Sequence, residues 1–164
     1  MKARIQQRRR GFSLVELVIV VVILAIIGVI AIPRLSRGAE GAADSALMAD
    51  LAVLRNAVDL YTTEHEGLLP NEADIVNQML QYSDLQGNTN PAKGGAFIYG
   101  PYLRAIPPLP VNGEGPATVG KKGDTGVDGT AAAGIAWLYD ESTGAINANT
   151  GGATDAGGVD YKHY

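Results

Sequence analysis

Cysteine is absent from the 164-residue chain, and histidine occurs only at positions 65 and 163. Disulfide bonds, which staple many small exported domains, are therefore excluded. Gly113 and Gly115 come nearest to a phosphate-binding loop, but a proline follows them and the third glycine is missing. His65 stands beside acids at a predicted helix end and His163 lies in the tail, so neither suggests a catalytic triad or a zinc centre. The chain is predicted not to be an enzyme.

Basic residues are also scarce after position 10. The chain has 13 Lys and Arg against 17 Asp and Glu, which gives a formal net charge of −4. Five of the basic side chains precede Gly11, so eight remain against seventeen acids in the rest of the chain. Binding to nucleic acid usually needs a basic footprint, and nucleic acid is therefore not an expected partner.

One long apolar run is present, from Leu17 to Ile32, and it contains only Val, Ile, Leu, Ala and Gly28. At about 1.5 Å per residue, such a helix spans roughly the 30 Å hydrocarbon core of a bilayer. Between Phe12 and Ile32 the only ionisable side chain is Glu16. An acid in the middle of a membrane helix costs about 2.5–3.5 kcal/mol, and less near an end. Glu16 therefore needs a partner or a function.

The charges that flank the apolar run predict its orientation. Five basic residues precede it, whereas only Arg34 and Arg37 follow closely. The positive-inside rule then keeps the amino terminus in the cytoplasm and exports the rest, as a single-pass protein. An ordinary signal peptide is disfavoured, because its apolar core is about 7–15 residues long and the small-residue cleavage candidates here lie beyond Pro33.

The sequence of residues 8–16, Arg-Arg-Arg-Gly-Phe-Ser-Leu-Val-Glu, followed by an apolar helix, resembles the class III signal of type IV pilins and of the pseudopilins of type II secretion. In that family a membrane aspartic protease, the prepilin peptidase, cuts after the glycine and N-methylates the new amino terminus. The resemblance implies cleavage between Gly11 and Phe12, and methylation of Phe12. It also implies that Glu16 is the assembly residue and that Pro33 bends the helix.

Cleavage after Gly11 would remove five basic side chains and leave a free α-amino group on Phe12, about one helical turn from Glu16. We expect Glu16 to pair with the Phe12 amine of a neighbouring subunit inside a low-dielectric helical bundle. The simpler alternative is a signal anchor whose Glu16 reaches the membrane interface.

After Pro33 the chain resumes a helical pattern that runs to Glu66. Gly67 then suits a C-terminal cap, and Pro70 prevents the helix from resuming. Its apolar side chains form one stripe along the helix, which predicts packing on the domain's own sheet or, less readily, on a coiled-coil partner. Its apolar positions recur at spacings of three and four: Ala43, Leu47, Leu51, Leu54, Val58 and Tyr61.

The remaining segments predict a small exported region. A short helix is expected with Asn71 as its N-cap and its end near Tyr82, and then an exposed loop over 83–96. Residues 96–110 contain four prolines and predict an extended segment that anchors a loop to the core or forms a recognition groove. Glycine-rich residues 120–129 predict a flexible loop, and 133–149 a β-hairpin with Trp137 and Tyr139 on one face. The tail after it is polar.

The expected fold is α+β: a long bent N-terminal helix packed on a small antiparallel sheet with long loops. Its parts are a cleaved leader (1–11), a transmembrane and assembly helix (12–33), an amphipathic helix (34–66) and a globular region (67–164). This layout resembles the major pseudopilin of type II secretion. Adhesive pilins share a carboxy-terminal disulfide loop, so the lack of cysteine favours the pseudopilin branch.

The typical major pseudopilin has a calcium site among acids and carbonyls of its carboxy-terminal loop, so the resemblance makes calcium a possible cofactor. No subset of the available acids has the spacing of a recognised calcium loop, and surface acids are commonly only solvated. The candidate oxygen donors are Asp124, Asp128, Asp140 and Asp155, with Glu141 and Asp160 beside them.

Two functions remain open. The first is a filament subunit of the bacterial inner membrane that polymerises in the envelope, for type II protein secretion or as a pilus. Its implied partners are copies of itself, other pilin-like subunits, the prepilin peptidase and an inner-membrane assembly platform. The second is a monomeric, membrane-anchored exported protein that binds a ligand through the proline and aromatic segment.

Overall fold

The computed structural model describes residues 12–111, 114–115, 118–119, 126–128, 134–152, 154–155, 157–161 and 164; for 32–37, 114–115, 118–119 and 128 only the backbone is described. Contacts divide the chain into two compact units, Met1–Ala39 and Glu40–Tyr164. The helices are α1 (Leu14–Glu64) and α2 (Ile75–Leu80). The strands are β1 (Tyr82–Ser83), β2 (Thr89–Asn90), β3 (Glu114–Gly115), β4 (Thr118–Val119), β5 (Gly126–Asp128), β6 (Ile135–Asp140) and β7 (Ala145–Ala148).

The helix α1 is 51 residues long and supplies all the regular structure described in the first unit. Its window Leu14–Ala31 is long and apolar enough to cross a membrane, and none of that window is buried by the rest of the chain. Pro33 lies within α1. The bend expected there stays a prediction.

In the second unit, α1 turns one stripe of side chains into the core. Five of the six positions predicted from the spacing are buried, with Leu47 and Tyr61 fully inaccessible to solvent, and the sixth, Ala43, is partly buried against them. They share one hydrophobic cluster with Trp137, Tyr139 and Ile146 of the sheet. The predicted packing of the stripe against its own domain is confirmed, and the coiled-coil alternative for this face is wrong.

The carboxyl end of α1 differs from the prediction by two residues. The helix ends at Glu64, and the Gly67 N–H donates to the carbonyl oxygen of Thr62 at 2.8 Å, which closes a Schellman-type turn. Glu66 takes the left-handed position with φ 57°, and Gly67 follows with φ 91°. The expected glycine cap therefore stands one residue beyond the left-handed position.

The short helix α2 begins at Ile75, and Asp74 stands at the N-cap position that was expected for Asn71. Asn71 instead forms an Asx turn, in which its Oδ1 accepts from the Ala73 N–H at 2.9 Å. The exposed loop expected over 83–96 is wrong in part, because β1 and β2 pair antiparallel and Ser83 and Asp84 are buried. The Asp84 carboxylate accepts from backbone N–H groups of its own loop, which is why a charged residue can be buried there.

The main sheet has the order β5-β6-β7. The predicted hairpin is present as β6 and β7, with Tyr139 opposite Ile146. Trp137 and Tyr139, expected on one face of the hairpin, are both buried. The α+β class is confirmed. One feature differs: β5 runs parallel to β6, so the sheet is mixed rather than wholly antiparallel.

The strand β5 lies in the segment expected to be a flexible glycine-rich loop, of which 120–125 and 129 are outside the described residues. The expectation is wrong for residues 126–128, because Gly126 there allows the chain to pair with β6 as a strand. A Cβ on Gly126 would come within 2.7 Å of the carbonyl oxygen of Gly134, so only glycine permits this approach of the two strands.

Residues 96–110 pack against the core, which is the first of the two arrangements expected for this segment. Ile106 and Leu109 are buried, and the indole N–H of Trp137 donates to the carbonyl oxygen of Pro107 at 2.9 Å. The backbone N–H groups of Tyr102 and Leu103 both donate to the carbonyl oxygen of Met79. This segment thereby joins the end of α2 to the sheet. The pair β3 and β4 is antiparallel and follows it in the chain.

Candidate functional site

The candidate processing site lies immediately before α1. Gly11 is outside the described residues, whereas Phe12 is non-helical and its side chain is 75% exposed. The Leu17 N–H donates to the carbonyl oxygen of Ser13 at 3.1 Å, so helical hydrogen bonding starts directly after Phe12. The site residues Gly11, Phe12, Glu16 and Pro33 remain predictions as regards their roles.

Glu16 occupies the first turn of α1, and its side chain is exposed. A carboxylate in this turn interacts favourably with the positive end of the helix dipole. The spacing Ser13-x-x-Glu16 is also that of a capping box, a signal that the sequence analysis overlooked. Glu16 therefore has a local structural explanation as well as a functional one, and the two predict different behaviour for a neutral isostere.

An amine freed on Phe12 would itself lie at the start of α1, where a positive charge meets the positive end of the helix dipole. That location is unfavourable for a cation unless an anion stands near it. Glu16 follows four residues later, a rise of about 6 Å along the helix axis. Amine and carboxylate are thus complementary, within one subunit or between two.

The described residues of the first unit leave the helix after this site uncovered. Every large apolar side chain from Phe12 to Ile30 is exposed. Such a surface exceeds what a monomeric protein exposes to water, and it marks a segment that lipid or other helices must cover. Glu16 is the only acid within it.

A serine–histidine pair also appears, which the sequence analysis missed because its members stand 18 residues apart. The Nε2 of His65 lies 3.0 Å from the Ser83 Oγ, and the Nδ1 lies 2.8 Å from the carbonyl oxygen of Tyr61. Nδ1 must donate to that carbonyl, which leaves Nε2 as the acceptor in the neutral ring. Both side chains are buried and His65 stacks on Tyr61 at 3.8 Å, so a substrate has no access to the pair. Its hydrogen bonds join the end of α1 to β1.

Two of the calcium candidates are engaged by their own loops. Asp140 accepts from the Ser142 N–H at 2.9 Å and from the hydroxyls of Ser142 and Thr143. These hydrogen bonds, above all the one from the Ser142 hydroxyl, lower the pKa of Asp140. Asp155 accepts from the N–H groups of Gly157 and Val159, and its pKa is lowered chiefly by the Tyr164 hydroxyl. The side chains of Asp124 and Asp128 are outside the described residues.

Among the side chains that the structure describes, the calcium candidates do not form a metal-binding cluster. Within the described ranges, no group of three or more His, Asp or Glu side chains could hold a metal ion. Glu141 instead accepts from the Glu72 N–H at 2.9 Å and thereby joins the hairpin turn to the start of α2.

Three shallow clefts of 240, 520 and 530 Å³ occur in the second unit. The smallest is lined by Arg55, Asp59 and the β6–β7 turn, and the other two flank Glu141. None of these three is lined by residues 96–110. They offer no support for the recognition groove considered for that segment.

A family profile described as the prokaryotic N-terminal methylation motif matches residues 6–32. The match includes the Gly11–Phe12 junction, Glu16 and the whole apolar run from Leu17 to Ile32. Searches among curated proteins and among solved structures give no match to this chain. The profile covers the amino-terminal segment alone, and it indicates a type IV pilin-like protein whose signal is processed by prepilin peptidase.

Proposed function

We propose that this protein is a structural subunit of a type IV pilin-like filament that polymerises through residues 12–33. The observation that carries the proposal is the single carboxylate of Glu16 in the first turn of an exposed apolar helix, inside the methylation-motif match. The subunit is inserted once in the bacterial inner membrane, with its amino terminus in the cytoplasm and residues 34–164 exported.

The mechanism couples processing to assembly. Prepilin peptidase cuts between Gly11 and Phe12 and methylates the Phe12 amine, which removes the basic leader and leaves one cation beside one anion. In a helical bundle that excludes water, the Phe12 amine of one subunit pairs with Glu16 of the next. An unpaired Glu16 would be costly there, so the pair fixes the axial register of neighbouring subunits.

The finer assignment that we propose is a pseudopilin of type II secretion, for which the filament pushes secreted proteins outward. Adhesive pilins share a disulfide loop, and the chain has no cysteine that could form one. The partners are then further copies of this chain, other pilin-like subunits and an inner-membrane assembly platform. Pro33 supplies the bend of the helix, because it lacks the N–H that a continuous helix needs.

Replacement of the residue before the cut tests the proposal. In Gly11→Val the larger side chain at the junction should block cleavage, so the full-length chain accumulates, Phe12 is not methylated and no filament forms. Intact-mass spectrometry and sedimentation of sheared filaments report these results. Gly28→Val serves as the control for cleavage, since a Cβ at Gly28 has no neighbour within 4 Å. If Gly11→Val leaves size and assembly unchanged, the anchored binding protein replaces the filament subunit.

A further inference from the structure

The resemblance to major pseudopilins implies a calcium ion in the carboxy-terminal loop, and the described residues do not fit one. Calcium takes six to eight oxygen ligands. Both carboxylate oxygens of Asp155 already accept hydrogen bonds, from the N–H groups of Gly157 and Val159 at 2.8 Å and from the Tyr164 hydroxyl. N–H groups that point into a loop favour an anion over a cation.

A second set of contacts occupies the end of the chain instead. The Tyr161 hydroxyl donates to the buried carboxylate of Asp44, 117 residues earlier. The Arg55 guanidinium donates to the backbone oxygen of Tyr164 at 2.6 Å and to the carbonyl oxygen of Ile146 at 3.3 Å. We name Asp44, Arg55, Asp155, Tyr161 and Tyr164 the clasp.

The clasp uses one face of α1. Asp44 and Arg55 are eleven residues apart, which is close to three helical turns, so both project from the same side of the helix. All the described strands, β1 to β7, lie in the chain between Arg55 and Tyr164. Tyr161 is buried, and an antiparallel bridge between Thr154 and Asp160 closes the loop that presents it.

We propose that the clasp fastens the carboxy-terminal segment to α1 without a metal ion. It joins distant parts of the chain as a disulfide or a bound calcium would, and so limits how far the tail can separate while the rest stays folded. The chain has no cysteine, so the hydroxyl, carboxylate and guanidinium contacts provide the fastening. The inference concerns the exported unit alone and does not depend on filament assembly.

The test compares thermal unfolding of the mature chain in detergent micelles with excess EGTA and with added calcium chloride. Fluorescence of Trp137, a fully buried side chain of the core, reports unfolding. The two conditions should agree within about 1 °C, because a ligand that does not bind the native state cannot stabilise it. A melting temperature that falls in EGTA and recovers with calcium would overturn the proposal.

The Tyr161→Phe variant tests the contact to α1. It keeps the ring and removes the donor to Asp44, so the melting temperature should fall by roughly 3 °C or more, equally with and without calcium. Limited proteolysis with mass spectrometry should show faster cleavage between residues 150 and 160. Tyr82→Phe is the matched control, since the ring of Tyr82 lies beneath the Lys93 ammonium and stays in place.

Coupling between the two partners completes the test. Asp44→Ala together with Tyr161→Phe should cost less than the two single changes added, because each single change already removes the one contact that the two side chains share. Additive effects, or a Tyr161→Phe tail cleaved at the wild-type rate, would contradict the clasp. Neither outcome bears on Gly11 or Glu16, so failure here leaves the proposed function standing.

Discussion

At the scale of single residues, Glu16 has two separable roles. As a first-turn acid it can form a capping box, in which a neutral glutamine also serves, and its charge adds a favourable interaction with the helix dipole. As an assembly residue it must carry a charge that pairs with an amine. The two roles can therefore be distinguished by a change that keeps shape and hydrogen bonding but removes the charge.

We expect Glu16→Gln and Glu16→Ala to be cleaved normally after Gly11 and to fail alike in assembly. Breaking a buried ion pair costs about 3–5 kcal/mol, and about 1.4 kcal/mol already changes an association constant tenfold. Filament yield should thus fall by at least about tenfold in both variants. Quantitative blotting of sheared filaments against the processed membrane pool measures it. Normal yield from Glu16→Gln with loss in Glu16→Ala would favour capping as the only role.

Gly11, Phe12 and Glu16 could be selected from the sequence because their pattern is local: a basic run, a small residue and a lone acid before an apolar segment. The Tyr161–Asp44 contact could not, because its partners are 117 residues apart and neither lies in a motif. The pair of His65 and Ser83 was missed for the same reason. A sequence motif can indicate a site only where the residues of that site are close together in the sequence.

At the scale of elements, spacing predicted the inward stripe of α1 and the β6–β7 hairpin, whose positions follow from periods of 3.6 and 2 residues. The strand β5 was not predicted, since its pairing depends on a backbone approach at Gly126 that no periodicity records. The end of α1 was placed two residues late because Glu66, not glycine, holds the left-handed position.

Replacing Glu66 by glycine should stabilise the second unit. A left-handed conformation costs an ordinary residue about 1–2 kcal/mol, and glycine's extra chain entropy offsets about 0.5–1 kcal/mol of that gain. We expect a net increase of about 0.5–1 kcal/mol in the free energy of unfolding, measured by urea titration with Trp137 fluorescence. Ala49→Gly, at an exposed position inside α1, is the control and should lose about 1 kcal/mol. A loss in Glu66→Gly would mean that residue 66 is not left-handed.

At the scale of the whole molecule, the two units have opposite surface chemistry. The first exposes an apolar helix with one acid, and the second carries most of the seventeen acidic side chains. Lipid or other helices must cover the first, while the charge of the second favours solvation in an aqueous compartment. This division agrees with a subunit that is anchored before it assembles.

The tyrosines of the second unit should make its stability fall in alkali. Burial, followed by the nearby carboxylates of Asp84 and Asp74, raises the pKa of Tyr61 to about 12. Hydrogen bonding to Asp155, followed by burial, raises the pKa of Tyr164 to about 12. Burial also leads the rise in pKa of three further tyrosines, Tyr102, Tyr139 and Tyr161.

A phenol whose pKa is higher in the folded state than in the unfolded state contributes stability that is complete below pH 10, the ordinary value, and is lost as the pH rises toward about 12. The melting temperature of the mature chain in detergent should therefore be flat from about pH 7 to about pH 9 and fall steeply above about pH 10. Phenolate absorbance should rise together with unfolding. Tyr161→Phe removes one such phenol and should make the alkaline decline shallower, from a lower starting value. If these five tyrosines ionise near pH 10 before any loss of Trp137 fluorescence, the folded state does not raise their pKa and the prediction is wrong.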